Sequence, residues 1–203
     1  MKKPIIYSVF SLLLFFTYAC KKSPKEPIQE AYYSIENKNI IIDWTAYKTS
    51  EKIPVKGTFK EVEINNIFKA KNPVEVIKDV KFSIPVNSIY SKDSIRDFKL
   101  RESLFGTMKN TVKINGVISL KSDGKGEATL TLNGLDKTIP VLYEVHGENI
   151  KINTRIDLDN WQAQAAITAL NVVCSEKHKA ADGISKTWSE VDVEINIKTT
   201  KIN

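Results

Sequence analysis

Two cysteines and two histidines in 203 residues leave this chain few groups for redox, metal or nucleophilic chemistry. Cys174 and His178 lie four apart in a segment with helical spacing, so both can face one metal or haem. Two such ligands make a poor site, because the only other histidine is His146. The simpler reading is a small apolar residue beside a partly exposed imidazole. Also missing are a Gly-x-Ser-x-Gly elbow, a glycine-rich phosphate loop and a His-Glu-x-x-His pair, so nothing supports an enzyme and no cofactor is expected. There is no arginine-rich block either. The formal charge is +6, removing Lys2 and Lys3 leaves +4, and the remaining excess is scattered lysine. That is a solvated surface, and nucleic acid is not a partner it suits. Long apolar runs are absent too: residues 5–16 are interrupted by Tyr7, Ser8 and Ser11, short of the roughly 20 residues a membrane helix needs.

What that short run does have is a signal's layout. Lys2 and Lys3 precede it and Ala19-Cys20 closes it, so residues 1–19 are expected to be an export signal peptide. A small residue followed directly by cysteine resembles the end of a bacterial lipoprotein signal, which makes Cys20 the expected lipid-attachment site and mature N-terminus. Lys21 is not the aspartate that retains such proteins on the inner membrane, which by resemblance favours the periplasmic side of the outer membrane. The following "KKSPKEPIQEA" resists packing, so residues 20–31 read as a lipidated N-terminus and flexible tether, and residues 32–203 as one domain. With Cys20 acylated, Cys174 has no disulfide partner, and the domain must stand on its core alone.

Period-two alternation dominates that domain. Ile40, Ile42, Trp44 and Ala46 share one face, with Asp43 and Thr45 on the other. Residues 55–64 read as a second strand with a bulge where the phase changes between Phe59 and Val62. Residues 80–86, 112–120, 128–132, 139–145, 150–158 and 191–197 follow, making about eight strands joined mostly by short turns such as Asn133-Gly134. In the last of these Val191, Val193 and Ile195 point inward and Asp192 and Glu194 outward. Eight mostly antiparallel strands satisfy either a barrel or a two-sheet sandwich, and alternation does not choose.

Two amphipathic segments interrupt the strands. Residues 91–108, "SKDSIRDFKLRESLFGTM", carry Phe98, Leu100, Leu104, Phe105 and Met108, too apolar a set for a surface connection. In residues 159–179, Asp159 or Asn160 is placed to cap a helix whose stripe is Ala165, Ala166, Ala169, Leu170 and Val173. Two such helices could lid the ends of a barrel.

From about Ile42 onward the chain resembles the YceI-like, polyisoprenoid-binding periplasmic proteins. "DWTAYKTSEKIPVKGTF" looks like the family's opening strand pair, "VKFSIPVNSIYSKDSIRDFKLRESLFGTM" like its strand, turn, Arg-Asp and Phe-containing helix, and "ISKTWSEVDVEINI" like its closing strand. Phe98 stands where His often follows the Arg-Asp pair, and Leu104-Phe105 replaces a commoner aromatic pair. The resemblance implies an all-β fold, an eight-stranded antiparallel lipocalin-like barrel with two short helices, holding a long isoprenoid or similar apolar lipid. The segment at residues 91–108 is then the helix at the barrel's end.

On that basis Trp44, Phe59, Phe82, Ile84, Phe98, Leu104, Phe105 and Met108 are the candidate cavity wall, since a tail offering only apolar surface is held by non-directional burial. Each also suits ordinary core packing. Arg96 can orient a polar head, because a guanidinium pairs well with phosphate; equally, Arg96-Asp97 near a helix start can serve capping and local pairing. The expected function is binding or carriage of an isoprenoid-like lipid in the bacterial envelope, without catalysis. The alternative is a structural or stress-response interaction module with a solid core, and a homodimer is an arrangement open to either. If Cys20 is acylated, Cys20→Ser should move the protein from the membrane fraction to the soluble fraction on cell fractionation. A wild-type chain that is already soluble would rule the anchor out.

Overall fold

The computed structural model describes residues 32–65 and 67–202. The expected signal peptide, Cys20 and the tether to residue 31 lie outside the described residues.

Among the described residues there are twelve strands: β1 (Tyr32–Ser34), β2 (Ile40–Lys48), β3 (Ile53–Phe59), β4 (Glu63–Asn65), β5 (Val80–Pro85), β6 (Ile89–Tyr90), β7 (Lys113–Leu120), β8 (Lys125–Leu132), β9 (Leu135–His146), β10 (Asn149–Asp157), β11 (Thr187–Lys198) and β12 (Thr200–Ile202). Ten form one sheet in the order β4-β5-β7-β8-β9-β10-β11-β2-β3-β6, while β1 pairs separately with β12. Neighbours are antiparallel throughout, as short connections require. All eight expected strands occur, and the strands beyond eight are short pieces of two or three residues. The β8–β9 turn shows how local sequence sets register. Asn133 and Gly134 both take positive φ, 49° and 70°, the two-residue turn that matches strand twist.

The sheet curls on itself into an incompletely closed barrel, because inward residues of β5, β7, β8, β9, β10, β11, β2 and β3 all surround one interior space. Residues 55–64 are not one bulged strand. The chain leaves β3 after Phe59, the Lys60 N–H donates to the Ser88 carbonyl at 3.0 Å, and β4 pairs with β5 at the opposite end of the strand order. The change of phase marks a crossing. Residues 60–62 span at most about 14 Å between β3 and β4, so the two edges of the sheet lie close together. On the return, the chain from β5 reaches β6, which pairs with β3 and narrows the same seam.

Helices close one end. In α1 (Ser94–Lys99) the Asp93 carboxylate accepts the N–H groups of Ile95 and Arg96 at 3.1 and 3.0 Å. A π-helical segment, Leu100–Phe105, continues it, and the Gly106 N–H donates to the Arg101 carbonyl five residues back. Its wider turn brings Leu100, Leu104 and Phe105 onto one side. α2 (Gln164–Val173) packs against this segment and β11, followed by α3 (Ser175–His178). The buried face of α2 keeps Ala166 and Leu170 of the expected stripe but is turned away from Ala165 and Val173. Ala163, Ala166, Ile167 and Leu170 point inward, while Ala165 and Val173 are exposed. Nor does Asp159 or Asn160 cap α2. Asp157 caps a preceding 3-10 turn, Leu158–Trp161, which shifts the start of the helix to Gln164. The turn is anchored by Trp161, fully buried, whose indole N–H donates to the Leu130 carbonyl at 3.1 Å.

β11 has the predicted faces: Val193 and Ile195 meet the interior, whereas Glu194 pairs with Lys151 at 2.8 Å on the outside. Val193→Asp should therefore cost about 3 kcal/mol or more by placing a carboxylate among apolar side chains. Glu194→Lys, losing one half-exposed ion pair, should stay within about 1 kcal/mol. Denaturant melts compare the two, and equal losses would contradict the assigned faces.

Candidate functional site

The interior space is a cavity of about 110 Å³. Its wall is aliphatic and aromatic, and besides Trp44 only Thr154 is polar, with its hydroxyl donating to the Pro140 carbonyl at 2.8 Å. A second apolar chamber of about 100 Å³ adjoins it at the helical end. Trp44, Phe59, Ile114, Ile156 and Val193 line both, so the two chambers adjoin across these side chains within one apolar interior. Leu100, Leu104 and Phe105 cover its end. No acid, base or thiol lines either chamber among the described residues, and no three His, Cys, Asp or Glu side chains are grouped as metal ligands.

Beyond the second chamber lies a mouth of about 240 Å³, which shares Trp44, Ala46 and Leu100 with it. Here the lining changes character. Lys48, Arg96, Lys99 and Lys177 gather around Cys174 and His178, with Asp93 the one carboxylate. Burial, reinforced by Lys48 and Lys99, pushes the His178 imidazole down to about 4, so it is neutral at pH 7; its Nδ1 lies 2.7 Å from the Thr187 hydroxyl. Burial also pushes the Cys174 thiol up, against the opposing pull of all four nearby cations.

The expected wall residues separate into groups. Trp44, Phe59, Phe82 and Ile84 line the inner cavity, and Leu104 and Phe105 the second chamber. Met108 is buried in the main core yet borders neither chamber. Phe98 departs from expectation: it is 58% exposed and lines neither. The reason is its neighbour. Asp97 turns inward to accept the Ser91 N–H and hydroxyl at 2.8 and 2.6 Å, and the next residue, about 100° further round the helix, faces solvent. Arg96 reaches the mouth, but its guanidinium already bonds Ser91 and pairs with Asp93, the local pairing that an Arg-Asp sequence near a helix start allows.

The sequence reading missed two groups. The aliphatic wall residues Ile114, Ile118, Leu130, Val141 and Ile152 are visible as inward positions of their strands but carry no mark separating lining from packing. In the sequence Lys48, Lys99 and Lys177 look like part of a scattered lysine surface, because positions so far apart meet only when α1, α3 and β2 assemble.

Two glycines make room for the wall's largest rings. Trp44 lies across from Gly57, where a Cβ would stand 2.1 Å from the indole Cζ2, and Phe82 across from Gly116, where it would stand 2.5 Å from Cζ. Gly57→Ala should accordingly force Trp44 to move and lower stability by about 1–3 kcal/mol. A chemical melt indistinguishable from wild type would show that the indole does not need this space.

The YceI-like domain family matches residues 33–199. Among solved structures, a polyisoprenoid binding domain from Saccharophagus degradans, implicated in plant cell wall breakdown, superposes with a TM-score of 0.59 at 14% identity, covering 82% of this chain and 97% of that one. Burkholderia cenocepacia BcnA gives a TM-score of 0.54 at 15% identity, covering 82% and 99%. A variant of the Campylobacter jejuni YceI protein with a monobromobimane guest gives 0.52 at 18%, covering 73% and 85%. No curated protein matches. At these identities the structural likenesses establish the fold, a curled antiparallel sheet with few helices.

Proposed function

Since the chain belongs to the YceI-like family, we propose that its barrel binds or carries the tail of an apolar, isoprenoid-like lipid and performs no chemistry on it. The observation that carries this reading is the pair of adjoining apolar chambers between the barrel interior and the helical end, walled by Trp44, Phe59, Phe82, Ile84, Leu104 and Phe105. The polyisoprenoid binding ascribed to the Saccharophagus degradans domain points the same way. Each methylene-sized piece of a tail contributes about 0.8 kcal/mol on burial, so four isoprene units support micromolar binding even after ordering costs. Chambers of about 110 and 100 Å³ are smaller than the roughly 300–1,000 Å³ of typical ligand pockets. A long tail therefore needs the barrel interior to widen around it. We place the protein in the bacterial cell envelope, anchored through Cys20 to the periplasmic side of the outer membrane. The same small volume favours a second reading, an interaction module whose core stays closed and holds no lipid.

Organic extraction of the purified full chain carrying Cys20→Ser, followed by mass spectrometry, decides between the two. The lipid-binding reading expects one lipid class at near stoichiometric amount, reduced by Phe82→Ala with Phe105→Ala while the fold, read by circular dichroism, persists. An empty extract together with no uptake of a fluorescent isoprenoid would favour the closed module.

A further inference from the structure

We propose that the helical end of the barrel is a membrane-docking face, whose exposed apolar side chains enter the interface of an anionic phospholipid bilayer while the lysines among them pair with its phosphates. This goes beyond the lipid-binding reading above, because its partner is the bilayer surface and not the molecule inside the barrel.

Three segments bring the apolar groups to this end. Ile95 and Phe98, 63% and 58% exposed, stand one turn apart on α1, and the bonds from Ser91 to Asp97 that turn Phe98 outward hold it there. Val172 and Val173 close α2, with Val172 67% exposed, and Lys99 of α1 donates to the Val173 carbonyl. Ile184, 55% exposed, belongs to the loop before β11, which Asn171 of α2 fixes by donating to the Ser185 carbonyl at 3.2 Å. None of the five lines either apolar chamber, so the interior does not use them. A single exposed aliphatic residue needs no explanation, but five gathered at one end of a domain mark an interaction surface. Glu102, one turn beyond Phe98 and exposed, bounds it on that side.

Charge identifies the partner. Lys48, Lys99 and Lys177 stand between these segments, and Lys48 and Lys99 donate to backbone carbonyls rather than to carboxylates, so their charge is left for something outside the chain. Asp93, Glu176 and Asp182 of the same end are engaged with the start of α1, with Lys179 and with Ser50. Apolar side chains set among cations suit a bilayer whose headgroups are anionic: the first are buried beneath the phosphates, and each lysine near the surface strengthens binding about fivefold. The mouth also adjoins the apolar interior through Trp44, Ala46 and Leu100, so docking sets it against hydrocarbon and a tail can pass inward without crossing water. An anchor at Cys20 permits this orientation. β1 lies at the Ile40 end of β2, about 26 Å from Lys48 at the mouth, and Cys20 stands twelve residues before Tyr32, a length of chain that spans up to about 43 Å.

The test reads membrane depth position by position, in the full chain bound to vesicles of phosphatidylethanolamine and phosphatidylglycerol. Phe98→Trp should add emission, measured against the unsubstituted chain, that brominated acyl chains quench at least about twofold. Phe68→Trp, in the exposed loop beside Tyr33 at the opposite end, should add emission that they leave unquenched. Ile95→Asp with Val172→Asp should remove the Phe98→Trp quenching while circular dichroism shows the fold intact, since both positions are exposed. Lys99→Gln with Lys177→Gln should lower the ratio of docked to undocked protein by about tenfold or more, and added salt should act in the same direction. Quenching at Phe68→Trp in place of Phe98→Trp would overturn the proposal, because the other end docks. Quenching at neither position, or a chain that does not associate with these vesicles, would overturn it as well. Equal quenching on vesicles of phosphatidylcholine alone would overturn the assignment of an anionic partner. Each of these results leaves the lipid-binding reading standing, and an empty organic extract from a chain that docks would overturn that reading and not this one.

Discussion

The arrangement depends on Trp44 lying across from Gly57. The indole fills the space that a side chain at position 57 would take, and it borders both apolar chambers and the cationic mouth. β2 is flanked by β11 and β3, so its register is fixed on both sides. A slip of one residue would turn Asp43 and Thr45 inward and Trp44 to solvent, removing the largest ring from the channel wall. The indole N–H, though buried, makes no hydrogen bond, which leaves a donor on the shared wall.

The outer face holds that register by charge. Arg155 stands opposite Asp192 and grips it with two N–H groups, Nε at 2.6 Å and Nη2 at 3.1 Å, while the Tyr47 hydroxyl donates to the same carboxylate from β2. Hydrogen bonding from Arg155 holds the Asp192 carboxyl below the usual carboxylate range. Being exposed, these pairs add little stability each; their effect is to make one alignment of β10, β11 and β2 better than its neighbours. With charge outside and hydrocarbon inside, the sheet curls around its apolar face.

The helical end joins the two kinds of surface. Ser91 and Asp97 lock the start of α1, Leu100, Leu104 and Phe105 of the π-helical turn line the second chamber, and Lys99 of α1 meets Lys48 of β2 and Lys177 of α3 at the mouth. A polarity gradient results, from a wall with almost no polar groups to a rim where cations exceed carboxylates. The helix covers the barrel's end and its flank supplies part of the mouth.

Much of this was legible in the sequence because a strand's alternation is a local property. The eight strands, the inward faces of β2, β5 and β11, and the turn at Asn133-Gly134 follow from neighbours one or two residues apart, and the family's motifs carry the same local information. Long-range pairing decided the rest. Only the assembled sheet shows that the phase change after Phe59 is a crossing between edges, since a bulge and an exit look alike until a partner strand is present. Phe98 read as a lining residue because helical spacing is ambiguous by a third of a turn, and the burial of Asp97 against Ser91 fixed it outside. Of the mouth, only Arg96, Cys174 and His178 stand out in the sequence. Lys48, Lys99 and Lys177 belong to three separate elements, and a lysine's role depends on which other charges the fold sets beside it, which tertiary structure alone determines.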